Sequence, residues 1–191
     1  AGASAPVVYL FGDCPGHDED LEGVHFAGEG GKLLEQNIPR SFQKRVRYNN
    51  VVRSAHPTSV NPQRTEIECC RPSIVRDIEE SKPKAIFGFG TTPLKWLIDQ
   101  NSIESWRGRR IPVRVGSHEC WFYPMNHPRY IATHLGKKGS IGKEGEEKKK
   151  FFERDIKTAF NEIDDLPNAE VFSTEKLYEN VTIFQGDPHE L

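Results

Sequence analysis

The hydrophobic residues of the chain form short apolar runs separated by segments with helical periodicity. Runs rich in β-branched and aromatic residues predict buried strands at residues 6–11, 48–52, 84–90 and 120–124. Each run is followed by glycine, proline or polar residues, which is typical of a strand that ends in a loop. The pattern therefore indicates a sheet whose strands are separated by other elements.

Helices are predicted between and after these strands. One is expected to begin near Gly31, and another at Thr65, since Thr65 and Glu68 have the spacing of a capping box. Pro72 is expected to kink or locally break this second helix. A short helix is predicted at residues 93–98. The apolar face of a last helix is formed by Phe152, Ile156, Ala159, Phe160 and Ile163.

This alternation predicts an α/β fold with three α/β/α layers and a central, mostly parallel four-stranded sheet. Ligands bind such sheets beyond the carboxyl ends of the strands. We expect one domain over residues 1–166, because 191 residues leave too little length for two. Residues 167–191 include a strand-like stretch at 180–184. They are expected to be a C-terminal extension or the start of a linker to a further domain.

Composition narrows the class of protein. The chain is 36% hydrophobic and 28% charged, which is typical of a globular protein. No apolar run approaches the roughly 20 residues needed to cross a bilayer, so no membrane association is expected. The four cysteines match neither a disulfide framework nor paired zinc knuckles, which favours an intracellular protein. The net charge of -2 gives no overall attraction to nucleic acid, but basic residues cluster at 44–53, 107–114 and 137–150.

Two polar segments after predicted strands carry candidate chemistry. The first begins at Gly12 with the sequence Gly-Asp-Cys-Pro-Gly-His-Asp-Glu-Asp and continues through Phe26 to a glycine-rich stretch. The second is Pro-Met-Asn-His-Pro at residues 124–128. A carboxylate on the first segment can orient water, and the histidine of the second can stabilise a developing negative charge.

These segments resemble motifs of the family 4, iron–sulfur-type uracil-DNA glycosylases, and they occur in the same order. Residues 12–16 resemble Gly-Glu-x-Pro-Gly, with Asp13 in the place of the glutamate. The other matching segments are residues 50–53, similar to Asn-Val-Val-Lys; 66–72, similar to Glu-x-x-x-Cys-x-Pro; 107–108, similar to Arg-Gly; and 124–128, similar to Pro-Thr-x-His-Pro. The resemblance covers about residues 7–131, and several spaced motifs are more specific than one.

The resemblance implies hydrolysis of the N-glycosidic bond of a uracil that is flipped out of DNA, as in base excision repair. Asp13 is the first candidate for positioning water, although the sequence alone does not decide between Asp13 and Glu19. His127 is expected to bind the uracil carbonyl. Phe26 resembles the ring that stacks on the base, and Asn50 the amide that reads its edge. Gly12 and Cys14 complete the predicted substrate-binding residues.

The plainer interpretations are a loop carboxylate that caps backbone N–H groups, a core phenylalanine and a turn asparagine. Residues after His127 resemble the loop that enters the DNA minor groove, which predicts contacts from Arg129 and Tyr130. Basic residues expected to contact phosphates are Arg107, Arg109, Lys137 and Lys138. For each of these, a solvated charged surface is the alternative.

The chain departs from family 4 at the ligands of the iron–sulfur cluster. Only Cys70 matches a ligand position, Ser54 stands at another, and no cysteine precedes Cys14. No cluster, metal or other cofactor is therefore expected. Residues 24–28 also differ from the family's Pro-Phe-Val-Gly. With these departures, the chain resembles a divergent viral or phage branch of the glycosylase superfamily.

Two other functions stay open from the sequence. One is a catalytically weak or inactive glycosylase-like module that binds DNA and is attached to a replication protein such as a DNA polymerase. The joint presence of Asp13, Phe26, Asn50 and His127 argues against it. The other is a nucleotide-binding domain, but residues 28–31 lack the dinucleotide fingerprint and are not part of a Walker motif. The expected partner is uracil-containing DNA, and the expected oligomeric state is a monomer.

Overall fold

Five strands form one sheet in the computed structural model, which describes residues 1–23, 25–26, 28–55 and 62–172. The strands are β1 (Val8–Gly12), β2 (Val46–Asn50), β3 (Ala85–Phe89), β4 (Ile111–Val115) and β5 (His118–Met125). Their order across the sheet is β2-β1-β3-β5-β4. β1 pairs in parallel with β2 and β3, and β3 with β5, whereas β4 is antiparallel to β5. The predicted α/β class and mostly parallel sheet are confirmed.

The prediction of four strands is wrong by one strand, which is β4. This edge strand is only partly buried, and its apolar residues alternate with Pro112 and Arg114 in a basic stretch. Such a sequence lacks the continuous apolar run by which a central strand is recognised. The predicted strand at 180–184 lies outside the described residues, and so does most of the predicted C-terminal extension.

The helices are α1 (His17–Glu22), α2 (Gly28–Gln36), α3 (Arg64–Ser81), α4 (Thr91–Ile98), α5 (Ile103–Trp106), α6 (Pro128–His134) and α7 (Ser140–Glu162). α2 begins at Gly28, earlier than the predicted Gly31. α3 also begins earlier than predicted, because the Glu66 carboxylate accepts the backbone N–H of Gln63 at 2.7 Å and caps the helix there. α3 continues through Pro72, so of the predicted kink or local break, the break does not occur. Ile74 and Ile78 are fully buried on the same helix and anchor it to the sheet.

Alternate residues of the central strands face opposite helical layers. Val8, Leu10 and Phe87 belong to one core, together with Leu34 of α2 and with the predicted apolar face of α7. Tyr9, Phe11 and Ile86 belong to the other core, with residues of α3 and α4. The three-layer arrangement follows from this alternation. No helix in the described part of the chain is long and apolar enough to cross a membrane.

A polar cluster, which we call the Asp77 cluster, joins α3 to β1 and β2. Asp77 accepts hydrogen bonds from the Tyr9 hydroxyl at 2.6 Å, the Arg47 guanidinium at 2.6 Å and the Asn49 amide at 3.1 Å. Asn49 in turn accepts the backbone N–H of Asn50 at 2.9 Å. Burial alone would raise the pKa of Asp77, but the hydrogen bonds from Arg47, Tyr9 and Asn49 lower it to about 2. The cluster therefore fixes the end of β2.

The substitution Asp77→Asn should lower the free energy of unfolding at pH 7 by about 2–3 kcal/mol, because charge-assisted hydrogen bonds to a partly buried group are lost. The folded pKa of Asp77 lies below its value in the unfolded chain. Its contribution is therefore complete above about pH 5 and is lost as the pH falls towards 2. Urea denaturation at pH 7 and pH 3 would measure both effects.

Asp164→Asn is a matched control, because Arg45 and Asp164 also form an ion pair at 2.6 Å. The Asp164 side chain is 57% exposed, so solvent screens the pair, and its loss should cost less than about 1 kcal/mol. Equal losses in the two variants at pH 7 would show that the Asp77 cluster has no special role in stability.

Candidate active site

The carboxyl ends of four parallel strands meet at one edge of the sheet. The last residues of these strands are Gly12, Asn50, Phe89 and Met125. Gly12 is paired with Asn50 and Phe89 with Met125, so the strands end at similar heights. Asp13 directly follows β1, and His127 lies two residues after β5. Both predicted motifs are thus at the edge where α/β sheets bind ligands.

A narrow cavity, with space for about one water molecule, lies at this edge. Its lining residues are Asp13, Cys14, Glu19, Phe26, Gly30, Gly31, Asn50, His127, Pro128 and Arg129. All of them except Gly30, Gly31 and Pro128 are predicted site residues. Gly12, also predicted, lies just behind the lining. A Cβ atom on Gly12 would be 2.4 Å from Asn50 Oδ1 and 3.0 Å from Phe26 Cζ.

The glycines missed by the sequence analysis allow close approach of neighbouring segments. A Cβ atom on Gly31 would lie 1.4 Å from the carbonyl oxygen of Phe26, and one on Gly30 would lie 2.8 Å from the backbone of Arg129. The glycine-rich sequence at the start of α2 is the signal that could have indicated this packing. These glycines allow protein segments to contact each other, so a phosphate ligand is not needed to explain them.

Asp13 and His127 contact each other across the cavity. His127 Nε2 is 3.2 Å from Asp13 Oδ1, which also accepts the backbone N–H of Cys14 at 2.8 Å. His127 Nδ1 accepts the backbone N–H of Arg129 at 3.1 Å. Because Nδ1 is an acceptor, the hydrogen of a neutral ring lies on Nε2 and points to Asp13. The imidazole is therefore a hydrogen-bond donor towards the cavity.

The Asp13 carboxyl group is ionised at neutral pH. Burial raises its pKa, but the hydrogen bonds from His127 and the backbone of Cys14, together with the charge of Arg129, lower it to about 2. Within the described part of the chain no group donates to Asp13 Oδ2. This oxygen is therefore free to bind a water molecule or a substrate atom.

Glu19 has different partners from Asp13. Its side chain is 8% exposed, and its Oε2 atom accepts the backbone N–H of Gly16 and the Arg129 guanidinium, the latter at 2.6 Å. Asp13, in contrast, is the acid that contacts His127. The geometry thus favours Asp13 over Glu19 for positioning water.

Phe26 and Asn50 form another part of the lining. The Phe26 ring packs edge-to-face on Phe89, with the ring centroids 5.7 Å apart, and its backbone has the positive φ of 56°. The Asn50 side chain forms no hydrogen bond with the described residues, although Asn50 is only 3% exposed. A buried amide with unused donors and acceptors is suited to read a polar ligand. Val24 and Ala27, which flank Phe26 in the predicted motif, lie outside the described residues.

The residues predicted to contact DNA do not line the cavity, apart from Arg129. The Arg107 side chain is 14% exposed and pairs with Asp155 at 2.9 Å and with Glu104 at 3.2 Å. Tyr130 is 41% exposed and donates a hydrogen bond to Glu144 at 3.0 Å. Among the basic residues predicted to contact DNA, the exposed ones are Arg109, Lys137 and Lys138. Arg107 thus has a structural role within the protein. Contact with DNA by Arg107, Tyr130, Arg129 or the exposed basic residues stays a prediction.

The cysteines do not fit an iron–sulfur cluster. No group of three or more His, Cys, Asp or Glu side chains suited to a metal ion occurs among the described residues. Burial raises the pKa of the Cys14 thiol to about 11 and that of the Cys120 thiol to about 12. Cys69 is exposed on α3, and Cys70 follows it.

The sequence of the chain matches that of a known superfamily. The sequence profile of the uracil DNA glycosylase superfamily matches residues 1–156, and the chain belongs to this superfamily. Among individual proteins, the type-4 uracil-DNA glycosylase of Sulfurisphaera tokodaii is 31% identical over 129 residues, which are 63% of this chain and 59% of the relative. The type-4 enzyme of Saccharolobus solfataricus is 29% identical over 135 residues, or 66% of this chain and 62% of the relative. The chain thus matches 59% to 62% of the length of these relatives.

The contact between His127 and Asp13 predicts a pKa change. In the variant His127→Ala, the pKa of the Asp13 carboxyl group should rise from about 2 towards the ordinary value of about 4, because a hydrogen bond to the anion is lost. A carboxyl-detected NMR titration would measure it. His134→Ala is the control, since His134 contacts Tyr130 and not Asp13. An Asp13 pKa that does not change in His127→Ala would contradict the contact.

Proposed function

We propose that this protein is a uracil-DNA glycosylase that hydrolyses the N-glycosidic bond of a flipped-out uracil and leaves an abasic site in DNA. The observation that carries the proposal is the Asp13–His127 contact of 3.2 Å in a cavity that also holds Phe26 and Asn50. Membership of the superfamily and the names of the type-4 relatives support it.

Asp13 acts on the sugar side of the bond. Cleavage builds positive charge at C1′, and the Asp13 carboxylate stabilises that charge from a buried position. One carboxylate oxygen is held by Cys14 N–H, while Oδ2 orients a water molecule for attack on C1′. The oxygen of this water forms the new bond to C1′, and its proton is released to Asp13 or solvent.

His127 acts on the leaving base. Uracil departs with the bonding electron pair as an anion, and its carbonyl oxygen gains negative charge. The Nε2–H group of His127 donates to this oxygen when the base is bound, in place of its contact with Asp13. Because the Arg129 N–H group occupies Nδ1, the donor is already in place before the reaction.

Phe26 and Asn50 select the base. The Phe26 ring provides a surface on which the flipped base stacks. The Asn50 amide offers a donor to uracil O4 and an acceptor to N3–H, whereas cytosine presents the reverse pattern at those two positions. Gly12 leaves the space that this amide and ring occupy.

The reaction ends at the abasic site. No lysine is among the residues that line the cavity in the described part of the chain, which supports a monofunctional, hydrolytic enzyme over a lyase. Exposed basic groups such as Arg109, Lys137 and Lys138 are proposed to contact DNA phosphates around the bound base. Attachment to a replication protein and the monomeric state stay predictions.

Excision of uracil from a labelled oligonucleotide, followed by alkaline cleavage at abasic sites, tests the proposal. The wild-type protein should give a cleaved product only after alkali. Asp13→Asn should lower the single-turnover rate by about 10²–10⁴-fold, and His127→Ala by about 10²–10³-fold. The exposed carboxylate Glu29, which pairs with Lys32, provides the control variant Glu29→Gln, whose rate should not change.

If the wild-type protein binds this DNA but releases no uracil, the glycosylase proposal is wrong. The result would then favour the non-catalytic DNA-binding module. No feature of the cavity otherwise supports that function. Loss of rate in Glu29→Gln equal to that in Asp13→Asn would likewise remove the special role of Asp13.

Asn50→Asp should change the choice of base. A carboxylate accepts hydrogen bonds but donates none, so it repels uracil O4 and pairs with the N4 amino group of cytosine. We expect uracil excision to fall by about 10²-fold or more and slow cytosine excision to appear. Parallel assays on oligonucleotides with a single uracil or a single unpaired cytosine would measure both rates. Loss of uracil excision with no gain on cytosine would instead indicate a purely structural asparagine.

A further inference from the structure

Arg129 contacts the segments of both proposed catalytic residues. Its backbone N–H group donates to His127 Nδ1 at 3.1 Å. Its guanidinium group reaches the loop after β1, where it donates to Glu19 Oε2 at 2.6 Å and approaches the carbonyl oxygen of Cys14 at 3.5 Å. Cys14 is the neighbour of Asp13 in the chain. A single residue therefore connects the histidine segment to the aspartate loop.

Glycine residues make room for this connection on two sides. A Cβ atom on Gly16 would lie 2.8 Å from Nη2 of Arg129. A Cβ atom on Gly30 would lie 2.8 Å from both N and Cα of the same arginine. Side chains at either position would displace the arginine from its present place. The Arg129 side chain is 42% exposed, but these two contacts fix the path that it follows across the cavity.

The partner of Arg129 is more buried than the acids of the surface ion pairs. The Glu19 side chain is 8% exposed, compared with 77% for Glu29 in its pair with Lys32. Glu19 Oε2 also accepts the backbone N–H of Gly16, so the carboxylate holds the start of α1 as well as the arginine. A charge-assisted hydrogen bond to a buried carboxylate is stronger and more directional than one between two exposed groups.

We propose that Arg129 and Glu19 form a clasp that holds the Asp13 loop against His127, which makes Arg129 a positioning residue for the reaction. DNA phosphate contact, the role expected from the sequence, is the competing assignment. The effect of the clasp on rate rests on the proposed glycosylase function, while its effect on the loop rests on the structure alone. Misplacement of a reacting group by about 1 Å can cost a rate factor of about 10².

The rate test compares Arg129→Met, Glu19→Gln and the double variant in single-turnover excision with the enzyme in excess. Each single variant should lose about 10–100-fold in the rate of the chemical step, and the double variant should lose little more than either, because both break the same clasp. The dissociation constant for uracil-containing DNA and its salt dependence should stay at the wild-type values. Arg129→Lys should recover part of the rate, since one hydrogen bond to Glu19 can form again.

Phosphate contact by Arg129 predicts a different outcome. Arg129→Met would then bind DNA more weakly, with the slope of log K against log salt concentration reduced by about 1. Glu19→Gln would not share this loss, and the effects of the two substitutions on rate would be additive. That set of results would overturn the clasp.

Amide hydrogen exchange tests the clasp without any need for activity. In Arg129→Met and in Glu19→Gln, the amides of Cys14 and Gly16 should exchange at least about 10-fold faster than in the wild-type protein, because the loop is released. Lys32→Met, which breaks an exposed pair on α2, is the control and should leave them unchanged. Unchanged exchange in the clasp variants would overturn the inference, even if the wild-type protein excised no uracil. A wild-type protein without activity but with faster exchange in the variants would refute only the glycosylase proposal.

Discussion

The parallel pairing of β1 and β5 with the central strand β3 is the constraint on which the site depends. Asp13 and His127 are separated by 114 residues in the chain, yet Asp13 directly follows β1 and His127 lies two residues after β5. Parallel strands point their carboxyl ends to the same edge, so the two loops must emerge side by side. The histidine and the carboxylate can then meet without any long connecting loop. Both cores, one on each face of the sheet, hold this register in place.

Local hydrogen bonds fix the positions of Asp13 and His127 relative to each other. The Asp13 loop is tied to the segment after β2, because Val51 N–H donates to the Gly12 carbonyl and Val52 N–H donates to the Asp13 carbonyl. His127 starts α6, where the backbone of the first helical turn fixes its ring. Each reacting group is thus held by backbone hydrogen bonds, which leave little rotational freedom. Polar groups that are fixed in this way stabilise charge effectively in a site from which water is partly excluded.

The central elements could be predicted from the sequence because their apolar runs are continuous. β1, β3 and β5 are buried on both faces, and their runs of apolar residues have no other interpretation in an α/β protein. β4 and α1 could not, since one is a half-exposed edge strand and the other is a short helix in a glycine-rich, acidic segment. The cavity residues Asp13, Asn50 and His127 were found because motifs preserve spacing near each strand end.

Contacts between distant segments could not be predicted in the same way. The pair of Glu19 with Arg129 and the pair of Arg107 with Asp155 join residues far apart in the chain, and each arginine alone has the pattern of a DNA contact. Only the distances show that these charges are used within the protein. The same limit applies to Asn49, which the sequence pattern places only in a strand and whose side-chain amide supports its neighbour.

The Asp77 cluster links the proposed selection of the base to the stability of β2. Asn49 lies between Asp77 of α3 and the backbone of Asn50, the proposed base-reading residue, so one amide serves both. Mutations that shift Asn50 to suit another base would also disturb Tyr9 and Asp77. Evolution of a new base preference should therefore be epistatic, with the change at the cavity tolerated only after a compensating change in the cluster. Laboratory selections for altered specificity would accordingly gain from libraries that vary residues 9, 49, 50 and 77 together.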